Sequence, residues 1–322
     1  MNHADQDRPR RIAVTSRSFS RNSELRAALQ VRFSDSKITF NDEGHTLFGA
    51  ALIAFLKGHD HAITALERLD AAVFDALPEL EVVSKFGVGI DMIDIAAMNA
   101  RHIRLGWRKG VNKRAVSELA IACMIALLRH VPTANAQVQS GNWQQITGRQ
   151  LTGKTVGIVG CGHVGRDLSG LLGAFDCHIL AHDIEDFADF CAQSGVEAVG
   201  LADLMREADI VSLHLPLDKS TRNILDGDML ALMKPDALLL NMARGGLVDE
   251  EALKAALDDG RLAGAALDVF AEEPPSNLAL ARHPRMLALP HIGGSAEEAI
   301  VAMGLAAIDG LEDAAVPELG VS

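Results

Sequence analysis

Three glycines and one aspartate supply the first chemical signal in the chain. The stretch Thr155-Val-Gly-Ile-Val-Gly160-Cys-Gly162-His-Val-Gly165 sets a G-x-G-x-x-G spacing at the end of a short apolar run and before a helix-compatible segment. Gly160 permits a tight turn, Gly162 lets bare backbone approach a pyrophosphate, and Gly165 allows a helix to pack closely on a strand. The helix N-terminus then offers unpaired N–H groups and the positive end of its dipole to phosphate oxygens. With 28 glycines in the chain, such a spacing is weak by itself. Asp183, at the end of the next apolar run and about 20 residues on, is the expected partner, because a carboxylate there accepts hydrogen bonds from the adenine-ribose hydroxyls. A solvated loop carboxylate is the plain alternative. Residues His182 to Asp186 hold no Arg or Lys, and Asp183, Glu185 and Asp186 repel a 2′-phosphate. The expected dinucleotide is NAD, not NADP.

Such a loop needs a parallel sheet beneath it. Short apolar runs separated by helix-compatible segments recur at Thr155 to Val159, His178 to Ala181, Val196 to Val199, Ile210 to Leu213, Ala237 to Asn241, Gly264 to Leu267 and Met286 to Leu289. That alternation predicts a dinucleotide-binding domain over about 150 to 290. An earlier series, Arg11 to Thr15, Ile38 to Phe40, His61 to Ile63, Leu80 to Ser84 and Ile103 to Trp107, predicts a second α/β domain with its own parallel sheet. Between them, Ser117 to Arg129 is an almost uninterrupted Ala, Ile, Leu, Met and Cys stretch, read as a helix buried on most sides and ended by Pro132. A last apolar helix, Ser295 to Asp313, has no new strands to pack on. Its expected partner is the first domain, which is therefore discontinuous.

Length and charge narrow the classes. At 322 residues the chain exceeds the size at which one core keeps growing, and two domains are expected. Its 43 acidic and 30 basic residues give a net charge of −13, which repels polyanions, so neither nucleic acid nor an anionic membrane is an expected partner. The N-terminus, Met1 to Arg11, is polar and lacks a signal core, and Leu119 to Leu128 is about half of the roughly 20 apolar residues needed to span a bilayer. Cys123, Cys161, Cys177 and Cys191 form no paired metal-ligand spacing and no disulfide framework. A cytoplasmic protein without a metal is expected. Cys161, inside the glycine loop, is read as a small filler; a thiol activated by the helix N-terminus is the alternative.

Several blocks in order carry a resemblance. They are Lys85-Phe-Gly87-Val-Gly89-Ile-Asp91-Met-Ile-Asp94, the helix around Val116-Ser-Glu118-Leu, the glycine loop, and Ala208-Asp-Ile-Val-Ser-Leu-His214-Leu-Pro216-Leu. They continue through Leu240-Asn-Met-Ala-Arg244-Gly-Gly246-Leu-Val-Asp249, Ala265-Ala-Leu-Asp268-Val-Phe-Ala-Glu-Glu273-Pro274 and Pro290-His291-Ile-Gly293-Gly294. Together they resemble the D-isomer-specific 2-hydroxyacid dehydrogenases, a family that includes phosphoglycerate dehydrogenase. The resemblance implies two doubly wound α/β domains: a Rossmann NAD-binding domain, 113–294, inserted into a flavodoxin-like substrate domain, 1–112 plus 295–322. The implied reaction is hydride transfer between NAD and a small D-2-hydroxy acid or 2-oxo acid, in a cleft that closes between the domains.

The resemblance also implies an active site of Arg244, Glu273 and His291. Each residue type suits the chemistry. The planar fork of an arginine binds a carboxylate while polarising the adjacent ketone. Imidazole titrates near operating pH, so His291 can exchange a proton with the C2 oxygen, and a glutamate on its other nitrogen fixes the tautomer. Gly87, Val88 and Gly89 are implied to receive the substrate carboxylate on backbone N–H groups, with Val88 near the nicotinamide. Further implied cofactor contacts are His163 and Val164 in the glycine loop, Leu215, Pro216 and Thr221, then Met242 and Ala243, then Asp268 toward the nicotinamide amide, and Gly293 with Gly294. A homodimer formed through the nucleotide domains is implied as well, with Ser117 to Arg129 suited to its interface.

The chain departs from the family pattern in places. Met92 stands where many members carry Asn, which removes a local turn hydrogen bond. Thr64-Ala-Leu-Glu67 holds no Arg for a substrate phosphate; Arg17 or Arg68 could substitute, and a solvated surface role is at least as simple for both. About thirty residues follow His291, too few for an appended regulatory domain. The rival reading is a non-enzymatic NAD-sensing protein on the same scaffold, as in corepressors that resemble this family.

Overall fold

A computed structural model describes residues 9–318. Part of the polar N-terminal stretch, residues 1–8, lies outside the described residues. Two compact units divide the chain: one runs through Asn112 and resumes at Ala296, and the other is Lys113–Ser295.

The first unit is a five-stranded parallel sheet of β1 (Arg11–Val14), β2 (Lys37–Phe40), β3 (His61–Thr64), β4 (Val82–Lys85) and β5 (Arg104–Gly106), in the order β2-β1-β3-β4-β5. This is the flavodoxin-like order, with a switch point between β1 and β3. β3 and β4 are buried along their whole length, which is why they read as apolar runs and not as alternating ones. The helix Glu297–Gly310 completes this unit, as the apolar stretch at 295–313 predicts. It packs closely because two glycines allow it. A β-carbon on Gly304 would lie 2.3 Å from Leu25 Cδ1, and one on Gly106 would lie 2.1 Å from the Gly310 carbonyl oxygen. Ser84 Oγ donates to Ala307 O at 2.6 Å, tying the returning helix to β4.

The second unit is a seven-stranded parallel sheet: β6 (Thr155–Val159), β7 (His178–His182), β8 (Glu197–Ala198), β9 (Ile210–Leu213), β10 (Leu238–Asn241), β11 (Gly264–Leu267) and β12 (Met286–Ala288). Their order, β12-β11-β10-β9-β6-β7-β8, is the Rossmann arrangement, with its reversal between β6 and β9. β8 is shorter than the apolar run Val196 to Val199 suggests: it holds two exposed residues at the sheet edge, paired only with β7.

The expected central helix is longer and less buried than its composition suggests. It spans Lys113–Leu128 and buries one stripe, Val116, Ser117, Ala120, Cys123, Met124 and Leu128. Pro132 does not end it. The helix stops at Leu128, His130 takes a left-handed conformation, and Pro132 sits in the first turn of a second helix, Val131–Gln139, where its missing N–H has no intrahelical partner to lose. Among the described residues no single helix is long and apolar enough to cross a membrane.

Candidate active site

Every candidate residue in the second unit lies in a loop that leaves the carboxyl end of a strand or in the first turn of the helix that follows it. The glycine loop follows β6, and its three glycines do three different things. Gly160 has φ of +100° and passes the loop after β9 so closely that a β-carbon would lie 2.6 Å from His214 O. Gly165 sits in the first turn of the helix His163–Gly173, where a β-carbon would lie 2.2 Å from Gly160 O. A β-carbon on Gly162 would meet nothing within 4 Å. That open face is the one a pyrophosphate requires, so His163 and Val164 open a helix whose N-terminus has room for an anion.

Asp183 follows β7 and is already oriented. Its Oδ2 accepts from Cys161 N at 2.6 Å and its Oδ1 from Glu185 N at 3.0 Å. Each carboxylate oxygen has a second lone pair, which leaves acceptor capacity for ribose hydroxyls. Burial pushes the Cys161 thiol up to about 11, as a small filler residue requires and a reactive thiolate does not. Arg166 Nε donates to Cys161 O at 2.8 Å and stacks its guanidinium over the Phe190 ring.

After β9, Thr221 closes the loop that carries Leu215 and Pro216: its Oγ1 donates to Pro216 O at 2.8 Å and accepts from Asp218 N at 2.8 Å. After β10, Asn241 shapes the turn through Met242, Ala243 and Arg244. Its Oδ1 accepts from Ala243 N at 3.1 Å and its Nδ2 donates to Arg244 O at 2.7 Å. Arg244 is half-buried, and its guanidinium donates to Ala243 O at 2.7 Å. Gly245, which composition and spacing do not single out, is required here, since a β-carbon would lie 1.8 Å from Phe270 O. The Arg244 turn therefore lies directly against the loop that leads to Glu273.

The loops after β11 and β12 assemble the acid/base pair. His291 Nδ1 lies 2.7 Å from Glu273 Oε2, and Glu273 Oε1 accepts from Phe270 N at 3.1 Å. A carboxylate can only accept, so Nδ1 carries the proton and Nε2 is the nitrogen left for chemistry. His291 has φ of +56°, a left-handed conformation that is uncommon outside glycine and concentrates at functional sites. Asp268 holds it there. Its O accepts from His291 N at 2.9 Å, and its carboxylate accepts from Ile292 N and Gly293 N, each at 2.7 Å. This carboxylate is almost fully buried, and burial pushes its pKa up against the pull of those two N–H groups. Its visible work is to pin the segment that carries His291, a role the sequence does not reveal. Gly293 is buried against the same carboxylate and Gly294 is half-buried beside it. A cavity of about 360 Å³ opens on the pair, walled mainly by Phe270, Pro274, Ala281, Ala288, Leu289 and Pro290.

Gly87, Val88 and Gly89 belong to the first unit, in the loop after β4. Gly87 has φ of +126°, and Val88 O accepts from Trp107 Nε1 at 2.8 Å, which fixes the loop.

The family model of the NAD-binding domain of D-isomer specific 2-hydroxyacid dehydrogenases matches residues 121–293. The chain belongs to this dehydrogenase family. It is 39% identical over 241 residues to a glyoxylate reductase of Thermofilum pendens, a match covering 72% of this chain and 71% of the relative. It is 37% identical over 233 residues to a D-3-phosphoglycerate dehydrogenase of Mycobacterium bovis, covering 72% of this chain and 44% of the relative. The chain thus spans less than half the length of the phosphoglycerate dehydrogenases it matches. Among solved structures, the TT0316 protein of Thermus thermophilus superposes with a TM-score of 0.82 at 32% identity, over 94% of both chains.

Membership gives the second unit its cofactor class, and the residues fit it. The open face of Gly162, the helix N-terminus behind it and the pre-oriented Asp183 carboxylate are the parts an NAD pyrophosphate and adenine ribose need. Nothing in these findings favours the NAD-sensor reading.

Proposed function

We propose that the chain is an NAD-dependent oxidoreductase that interconverts a small D-2-hydroxy acid and the corresponding 2-oxo acid. The observation that carries this reading is the 2.7 Å contact between His291 Nδ1 and Glu273, with Glu273 itself held by Phe270 N. Bound NAD supplies the hydride acceptor, and its reduced form the donor, at the nicotinamide ring. The chain does the rest. The Arg244 guanidinium binds the substrate carboxylate and polarises the C2 carbonyl. In the reducing direction His291 Nε2 gives its proton to the C2 oxygen; in the oxidising direction it takes that proton back. Glu273 stabilises the imidazolium that exists between turnovers and keeps the ring from flipping.

The carboxylate of Asp183, together with Glu185 and Asp186, supports NADH over NADPH. The mainly apolar wall beside His291 and Glu273 supports an acid with a small uncharged substituent, glyoxylate or hydroxypyruvate before phosphohydroxypyruvate. We assign the chain to the cytoplasm, in keeping with its four free cysteines. We also assign it a homodimeric state. The support is a helix, Val131–Gln139, that buries no residue in its own unit, with Val131, Val138 and the nearby Trp143 exposed. Light scattering that gives a monomer overturns this assignment.

The reading is tested by loss of NADH absorbance against a panel of glyoxylate, hydroxypyruvate, phosphohydroxypyruvate, pyruvate and bulkier apolar 2-oxo acids, repeated with NADPH. Turnover of at least one acid, faster with NADH, is the expected result. A protein that binds NADH and turns over none of them contradicts it.

A further inference from the structure

The loop that carries Glu273 is tied to its own unit by few bonds. Among the described residues, the backbone of 270–277 makes no hydrogen bond to other backbone. Two of its amides are anchored by carboxylates instead. Phe270 N donates to Glu273 Oε1 at 3.1 Å, within the loop, and Ala271 N donates at 2.6 Å to Oε1 of Glu250, 21 residues away in sequence. Glu250 opens the helix Glu250–Asp258, where a first-turn glutamate ordinarily serves the helix dipole. Here the N-cap Asp249 accepts from Glu251 N and Ala252 N, and the Glu250 side chain reaches across to Ala271. The segment beneath Glu250 is firmly held: Gly246 O accepts from Asn223 N at 2.8 Å, Leu247 O from Leu225 N at 3.1 Å, and Asp249 N donates to Leu225 O at 3.0 Å. The same segment meets the loop a second time. Phe270 O and Ala271 N belong to one peptide plane. That plane lies against Gly245, where a β-carbon would be 1.8 Å from the oxygen and 2.6 Å from the nitrogen.

We propose that Glu250 is a positioning residue for the acid/base pair: it grips the Phe270–Ala271 peptide and so fixes the loop in the register at which Glu273 reaches His291 Nδ1. With Gly245 packed against that peptide and Glu250 on its N–H, the plane is held against rotation. The direction of Phe270 N toward Glu273 Oε1 follows from it, because the two amides flank one α-carbon. An ionised acceptor makes the grip stronger than a neutral one would be. Arg244 precedes Gly245 on the segment that carries Glu250. The substrate anchor and the acid/base pair are therefore held as one piece, not as two loops that shift separately. Glu250 acts only through this loop, and the inference rests on the dehydrogenase reading above.

The test compares Glu250→Ala, which removes the acceptor, with Glu250→Gln, which keeps an acceptor oxygen and drops the charge. Each is measured alone and in a Glu273→Gln background by steady-state NADH oxidation and NADH titration. Glu250→Ala is expected to lower kcat about 5-fold with the NADH Kd unchanged, and Glu250→Gln to keep most of the activity. Once Glu273 is glutamine, Glu250→Ala is expected to cost nothing further. An unchanged kcat overturns the inference. So does an equal loss in both backgrounds, which marks a merely structural role, and so does a Glu250→Gln as impaired as Glu250→Ala. NMR of protein with isotope-labelled histidine reads the contact without turnover: the His291 Nδ1–H signal is expected in the wild type and in Glu250→Gln, and is expected to broaden or vanish in Glu250→Ala. A signal and a kcat indifferent to Glu250 in an active enzyme sink this inference alone. A wild type inactive on every acid sinks the dehydrogenase reading, and the His291 signal then still decides whether Glu250 sets the pair.

Discussion

Two corners at the carboxyl edge of the nucleotide-binding sheet are built on opposite principles. The corner after β6 works by leaving side chains out. Gly160 and Gly165 let backbone meet backbone at distances a β-carbon forbids, and Gly162 leaves an empty face for an anion. The corner after β11 and β12 works by adding side chains that restrain one another, with Asp268 pinning the turn, the turn presenting His291, and Glu273 fixing its ring. A binding site for a common cofactor can be made from backbone. A proton-transfer site needs a particular nitrogen at a particular place, and only a chain of hydrogen bonds supplies that.

This contrast makes the two corners separable by mutation. The largest effect is expected for His291→Ala, which should lower kcat about 100-fold or more, the scale for losing a general acid/base, while NADH still binds. Stopped turnover with an intact NADH fluorescence titration is the signature; near-normal turnover breaks the comparison. Next come two glycine variants that differ from each other. Gly165→Ala must push a methyl against Gly160 O and should lower both Tm and NADH affinity, whereas Gly162→Ala meets nothing in the protein and should lower NADH affinity with Tm unchanged. Equal Tm losses would mean that the open face at Gly162 is not open. Asp268→Asn keeps the shape and removes one acceptor, so one of the two N–H groups after His291 loses its partner. A fall in kcat of about 10-fold is expected, larger than any change in NADH Kd.

The smallest effect lies behind the glycine corner. Burial holds the imidazole of His214 down to about 4 from its ordinary 6.5, so it stays neutral in the folded chain. Its Nε2 lies 2.9 Å from Ser212 Oγ. Because the folded pKa is below the unfolded one, the unfolded chain takes up a proton first as pH falls. Stability contributed by the neutral ring is complete above about 6.5 and is lost as pH drops toward 4. Melting curves across this range should fall for the wild type and flatten for His214→Gln; parallel curves would remove His214 as the cause.

The same contrast explains what was legible in the sequence. The glycine corner is local: its spacing, the apolar run before it and the carboxylate after the next run all lie within one βαβ unit, and the structure keeps each in its expected place. The strands were legible for the same reason, since buried parallel strands read as continuous apolar runs. β8 was overdrawn because an edge strand gains little from hydrophobic residues. Pro132 was misread because proline marks helix starts as readily as helix stops. Arg244, Glu273 and His291 came from the order of several motifs and not from local physics, and the role of Asp268 stayed hidden. Its partners Ile292 and Gly293 lie more than twenty residues away, and no periodicity encodes a carboxylate pinning a distant turn. Gly245 is a similar case, needed only because Phe270 O passes over it.

The central claim is that Glu273 acts through His291 and not beside it. It is tested most directly by kcat/KM for His291→Ala, Glu273→Gln and the double variant on one accepted 2-oxo acid. If the two side chains form one unit, Glu273→Gln costs activity in the wild type and nothing further once His291 is alanine. Losses that simply multiply would show that the 2.7 Å contact between them is not what the chemistry uses.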